Sequence, residues 1–208
     1  MPQVPDIVGV YRITHLDNIP LILRDGIYAM NSVKPDAHYR FIADQAIIDR
    51  RATKAVPVAP GGTLADYVPF YFGERSVMLY TINKREMAKQ EEVVYLLVKL
   101  DSIERHNCTY CFTDGHASSA LTTFYSDRAK MSKLDWEAIK AHDFRNTEDD
   151  PDRMRKKSAE LLVKHHLPPT CIDHLVCYNE VALQKLKQFV LDSGLSIPSS
   201  IQQSRFYF

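Results

Sequence analysis

Glu160 is an acid in basic and apolar company. In RKKSAELLVKHH it is the only carboxylate between Asp152 and Asp173, set after Arg153, Arg155, Lys156 and Lys157 and before Leu161, Leu162 and Val163. A carboxylate among cations stays ionised, and a fixed anion suits the stabilisation of a developing positive charge. Two readings are open. If the helix that starts near Asp149 runs on, Glu160 is a surface residue paired at i,i+4 with Lys156 or Lys164. If the helix stops at the small Ser158 and Ala159, the β-prone Leu-Leu-Val run makes Glu160 the first residue of a strand at the mouth of a cleft.

Arg51, in DRRATK, is the second residue with chemistry to offer. It is either a helix-end arginine favourable to the macrodipole or a planar donor that clamps a phosphate or an electron-rich base. His15 in RITH and His116 in TDGH read as satisfied structural groups or as proton-transfer groups. Tyr67 and Tyr71, in DYVPFYF, belong to a core strand or line a cleft where a planar ring or an unpaired base can stack. Arg128, Lys130, Lys133, Arg153, Arg155, Lys156 and Lys157 form either a solvated face or a track for a phosphate backbone. The C-x2-C pair Cys108 and Cys111 stands between His106 and His116, a spacing that zinc sites use. The strand-like CTYCF points the two thiols to opposite faces, and Cys171 and Cys177 have five residues between them rather than two, so free thiols and no metal are expected.

The elements that must position these groups alternate along the chain. IVGVYRITH reads as a strand, followed by a short helix capped at Asp17 or Asn18 and ended by Gly26. ADQAIIDRRAT reads as a short amphipathic helix, and PVAPGGTLADYVPFYF as a long loop feeding a strand. SVMLYTI, EEVVYLLVKL and CTYCFTD read as three strands. Residues 115–150 form a second irregular region with one helix around Leu134 to Ala141, and DDPDRMRKK starts another helix. AELLV and HLVCY read as strands, NEVALQKLKQFVLDSG as a helix closed by Gly194, and SIQQSRFYF as a final strand. The sum is a single α+β domain over 1–208 with largely antiparallel strands.

Composition narrows the class further. The 208 residues carry 26 Lys plus Arg against 26 Asp plus Glu, so any polyanion site is a local patch rather than a global field. Apolar runs such as VVYLLV are too short to cross a bilayer, and MPQVPDIVGV lacks a secretory pattern, so a soluble, cytoplasmic protein with no membrane partner is expected. Neither a P-loop nor a strand-linked G-x-G-x-x-G occurs.

Together these strings resemble the DarT family of DNA ADP-ribosyltransferase toxins. The matching pieces are RITHLDNIPLIL, the arginine pair of DRR, PVAPGGTLADYVPFYFGERSVMLY, FTDGHA, the LDWEAI helix, DPDRMRKKSAELLV and the terminal RFYF. They run in family order across nearly the whole chain. The chain departs in Arg12, where some relatives carry histidine, and in Ser158, where many carry glutamine.

The resemblance implies an ADP-ribosyltransferase fold, a split antiparallel β-sandwich core that binds NAD without a glycine fingerprint. It implies transfer of ADP-ribose from NAD to a base, most often thymine, in single-stranded DNA, with release of nicotinamide. Duplex pairing would hide the reacting face of the base. The implied catalytic residues are Glu160 and Arg51. Implied NAD contacts are Arg12, Ile13, Thr14, Leu21, Ala29 and Arg51, with the loop around Val33 to Thr53 folding over the cofactor. Implied DNA contacts are His116, Tyr71, Arg153, Arg155 and Lys156, within or beside a substrate-recognition segment from Thr113 to Glu160. Glu160 would hydrogen-bond a ribose hydroxyl and stabilise an oxocarbenium-like sugar, and Arg51 would stabilise the anionic base. The proton leaves through Arg51 itself or a relay to Glu160. A macrodomain antitoxin that removes the mark is the implied protein partner. Guanine, RNA or protein as acceptor, and a silent NAD- or nucleic-acid-binding module, are the alternatives.

Overall fold

A computed structural model describes residues 3–32, 38–42 and 45–206. The strands are β1 (Gly9–His15), β2 (Ile27–Tyr28), β3 (Tyr67–Tyr71), β4 (Val93–Lys99), β5 (Tyr110–Thr113), β6 (Phe124–Tyr125), β7 (Glu160–Lys164), β8 (His166–Leu167), β9 (His174–Cys177) and β10 (Ser199–Ile201). The helices are α1 (Ile19–Asp25), α2 (Gln45–Thr53), α3 (Val77–Lys84), α4 (Leu100–Arg105), α5 (Trp136–Lys140), α6 (Arg153–Lys157) and α7 (Glu180–Ser193). Eight strands form one sheet in the order β10-β9-β4-β1-β3-β7-β5-β6, and β2 pairs with β8. Neighbours are antiparallel except β9 and β10.

The sheet is nearly divided in its middle. β1 pairs with β4 along its full length, from Gly9 opposite Lys99 to His15 opposite Val93. β3 pairs with β7 from Tyr67 opposite Lys164 to Tyr71 opposite Glu160. Between β1 and β3 the register holds one pair, Tyr11 opposite Tyr71. Beyond that point the two halves diverge and open a cleft. Pro69 has no N–H to offer across the gap, and the Arg12 side chain bridges to its carbonyl at 3.0 Å.

Period-two alternation decides which side chains face the cleft. On β4, Val94, Leu96 and Val98 enter the large core, while Val93 and Tyr95 enter a smaller cluster with Ile13, Leu79 and Phe206. On β7, Leu161 and Val163 enter the large core, and Leu162 faces the other way with Tyr67 and Cys111. Glu160 shares the parity of Leu162, which directs it away from the large core.

Most expected elements are present, with two corrections. SVMLYTI is the helix α3 rather than a strand. Its Val, Tyr, Thr and Ile carry strand propensity, but the Ser76 hydroxyl caps the Leu79 N–H, and Leu79 and Ile82 bury at helical spacing. The final strand is short. β10 ends at Ile201, a 3-10 turn follows over Gln203–Arg205, and Phe206 packs edge-on against Tyr95 and Tyr178. Residues 207 and 208 of that expected strand lie outside the described residues, as do 33–37, 43 and 44 of the expected cofactor loop. Among the described residues no helix is long and apolar enough to cross a membrane.

Candidate active site

Glu160 opens a strand because the helix before it ends early. α6 closes at Lys157, the Ser158 hydroxyl returns to the Met154 carbonyl, and the Ala159 carbonyl accepts from Phe72 N–H at 3.1 Å, so the sheet takes over at Glu160. The surface reading of this glutamate is thereby excluded, for its exposure is 0%. Its Oε1 accepts from Ala117 N–H at 2.8 Å, and its Oε2 accepts from Arg51 Nη1 at 2.9 Å. The anion's cationic neighbour is thus Arg51, on α2, and not the basic run that precedes it in sequence. Arg51 is 13% exposed, and its Nη2 is buried without a hydrogen-bond partner.

Tyr71 stands opposite Glu160 in the β3–β7 register. Burial, reinforced by the Glu160 carboxylate, pushes its phenol well above the usual tyrosine range, so it stays protonated. His116 leads the turn that delivers Ala117, and its Nδ1 is 2.8 Å from the Ser118 hydroxyl.

Two cavities meet at this wall. The first, about 510 Å³, is lined by Arg12, Ile13, Leu21, Ala29 and Arg51 together with Tyr28, Tyr39, Phe41 and Tyr67. The second, about 460 Å³, is lined by Arg155, Ser118, Asn146, Met154 and Ser158. Ile47, Tyr71, Met78 and His116 border both. Thr14 lies one layer back: it is 1% exposed, with its Oγ1 3.1 Å from the Tyr39 hydroxyl and accepting from Asn18 Nδ2 at 2.9 Å. Asn18 also pairs with Arg40 through both main-chain groups at 2.8 Å. That amide fastens 38–42 over the first cavity. The sequence offers Asn18 only as a helix cap, a bond its side chain does not make, and gives Tyr39 and Phe41 no role, although HYRF shows two aromatics in a polar stretch and Phe41 is 57% exposed.

The basic run is largely neutralised within the chain. Arg155 binds Asp152 through Nε and Nη2 and Asp114 through Nη1, Lys156 binds Asp150 and Asp135, and Arg153 is 3.6 Å from Asp150. Lys157 is buried, donates to the Ile139 and Ala141 carbonyls and so closes the end of α5; burial lowers its ammonium pKa to about 8. All four cysteines are free, and the described residues contain no group of three or more His, Cys, Asp or Glu that could hold a metal.

A family model described as ssDNA thymidine ADP-ribosyltransferase, DarT, matches residues 11–208. A DNA ADP-ribosyl transferase of Escherichia coli O127:H6 is 36% identical over 203 residues, covering 96% of this chain and 93% of that protein. The solved Thermus sp. 2.9 DarT in complex with ADP-ribosylated ssDNA superposes with a TM-score of 0.91 at 30% identity, covering 99% of each chain. The same protein in complex with NAD+ gives 0.85 at 28%, covering 99% of this chain and 100% of that one. A DNA ADP-ribosyl transferase-DNA ADP-ribosyl glycohydrolase fusion protein of Thermosipho africanus is 25% identical over 200 residues, 96% of this chain and 49% of the fusion. The chain belongs to the DarT family of ssDNA thymidine ADP-ribosyltransferases.

Proposed function

We propose that Glu160 and Arg51 are the catalytic pair with which this NAD-dependent DNA ADP-ribosyltransferase moves ADP-ribose to thymine in single-stranded DNA and releases nicotinamide. The observation that carries the reading is their buried ion pair behind the wall shared by the two cavities.

The first cavity suits NAD. Its walls are apolar and aromatic, and the unpartnered Arg51 Nη2 is a buried donor beside it that an anionic or carbonyl oxygen would satisfy. Arg12 and Ile13 on β1, with Leu21 and Ala29, would hold the co-substrate, Thr14 would support them from behind through the Tyr39 hydroxyl, and 38–42 would cover it. Bound there, NAD supplies a ribose already activated by its link to a cationic ring.

The residues do the rest by placement. Ala117 N–H fixes one oxygen of Glu160 and with it the orientation of the carboxylate. The other oxygen passes from Arg51 to a sugar hydroxyl, and the anion faces the carbon where positive charge builds. Arg51, released from Glu160, is a permanent cation that stabilises the base as its ring nitrogen gives up its proton, through a relay, to the Glu160 carboxylate. Tyr71 and His116, common to both cavities, would hold the acceptor base. Arg155 borders the second cavity, so a phosphate there, or at Arg153 and Lys156, competes with Asp150, Asp152 and Asp114.

We take 1–208 as one transferase domain acting in the cytoplasm, where NAD and DNA meet. A macrodomain antitoxin that reverses the mark is its proposed partner; the Thermosipho fusion, which joins transferase and glycohydrolase in one chain, supports that pairing. The test is nicotinamide release with thymine-containing single strands, the matching duplex, thymine-free strands, RNA and protein. Release confined to the first supports the reading, and equal release with all of them overturns it.

A further inference from the structure

Thr113 sits where β5 leaves the sheet. Phe112 still pairs with Leu161 across β5 and β7, and the next rung would set Thr113 against Glu160. A side chain makes that rung instead. Glu160 N–H donates to Thr113 Oγ1 at 3.1 Å, and the same hydroxyl donates to the Gly115 carbonyl at 2.7 Å. A hydroxyl can accept and donate at once, so one fully buried atom ties the catalytic strand to the start of the turn.

The turn has a definite task. It brings Ala117 N–H to 2.8 Å from Glu160 Oε1. Its path is tightly determined, because a Cβ on Gly115 would lie 2.4 Å from Arg155 Nη1 and 3.0 Å from the Arg155 carbonyl, while Arg155 holds Asp114 at 2.9 Å. The carboxylate is aimed by this turn, and the turn is tied to the backbone of Glu160 through Thr113.

We propose that Thr113 is a positioning residue for the transfer reaction: its hydroxyl sets the turn that presents Ala117 N–H to Glu160 and so fixes which carboxylate oxygen faces Arg51 and the sugar. The proposal rests on Glu160 being the catalytic acid. It assigns Thr113 no contact with NAD or DNA.

The experiment compares wild type, Thr113→Val, Thr113→Ser and Glu160→Gln in kcat and KM for NAD, with a thymine-containing single strand. A displacement of the carboxylate by about 1 Å corresponds to a loss of about 100-fold in kcat, which is expected for Thr113→Val with KM for NAD nearly unchanged. Thr113→Ser keeps the hydroxyl and is expected to keep most of the turnover. Glu160→Gln separates the two layers of the argument. If Glu160→Gln is inactive and folded Thr113→Val turns over like wild type, the positioning role is overturned alone; if Glu160→Gln is active, the underlying reading falls. Loss of NAD affinity in step with kcat, or equal loss in Thr113→Ser, also overturns the positioning role. Should Thr113→Val lose its native near-ultraviolet dichroism, Gly115→Ala takes its place, displacing the same turn, and wild-type turnover there overturns the proposal.

Discussion

Arg51 Nη1 lies 2.9 Å from Glu160 Oε2, and the two residues are 109 positions apart in the chain. The pair joins α2 to the first residue of β7 and is nearly closed to solvent. Removing one member of a buried pair leaves an uncompensated charge, at about 3–5 kcal/mol. Glu160→Gln keeps shape and burial and is expected to lower transfer by at least about 100-fold while NAD binding persists. Arg51→Ala is expected to lower turnover far more than DNA affinity. Titration of NAD and of a labelled oligonucleotide, beside single-turnover rates, checks both. Affinity for DNA lost in step with turnover would make Arg51 a phosphate anchor instead.

Asn18 offers a second test because its buried amide fastens the segment over the first cavity. Asn18→Ala leaves the Arg40 main-chain groups and the Thr14 hydroxyl without their partner. The expected outcome is a KM for NAD raised roughly tenfold, equivalent to about 1.4 kcal/mol, with kcat largely kept. An unchanged KM would detach this clamp from cofactor binding.

Asp66 supplies the pH dependence. Its carboxylate accepts from Thr63 N–H at 2.8 Å and Asn31 Nδ2 at 2.9 Å and stands 3.3 Å from Lys164 Nζ. These bonds, that of Thr63 foremost, hold its pKa below the ordinary 3.8. A folded pKa below the unfolded one gives stability that is fully present above the unfolded value and is lost as pH falls through the folded one. Asp66→Asn is therefore expected to lower Tm by a few degrees, about 2–4 °C per kcal/mol, at neutral pH. The gap should close as acid titrates the wild type below its ordinary carboxylate pKa. Thermal melts across that range decide it, and a gap that stays constant contradicts the linkage.

The strands on either side of the cleft were legible because β1, β3, β4 and β7 are short apolar runs with clear bounds. α3 was not, since a strand-like composition hides a helix whose start depends on the Ser76 cap. Glu160 and Arg51 stood out by residue type and gained their assignment from resemblance to a family. Three partners of the site were illegible for physical reasons. Ala117 acts through its main-chain N–H, Asn18 through contacts with Thr14 and Arg40, and Thr113 by replacing a rung of the sheet. The basic run looked free because its acids are scattered, at Asp114, Asp135, Asp150 and Asp152.

The most direct measurement is mass spectrometry of a single-stranded oligonucleotide library after incubation with NAD, with fragmentation to locate the adduct. The expected product carries one ADP-ribosyl group on thymine, matched by one nicotinamide released, and is absent from the duplex and absent with Glu160→Gln. An adduct formed by Glu160→Gln, or located on another base, would contradict it.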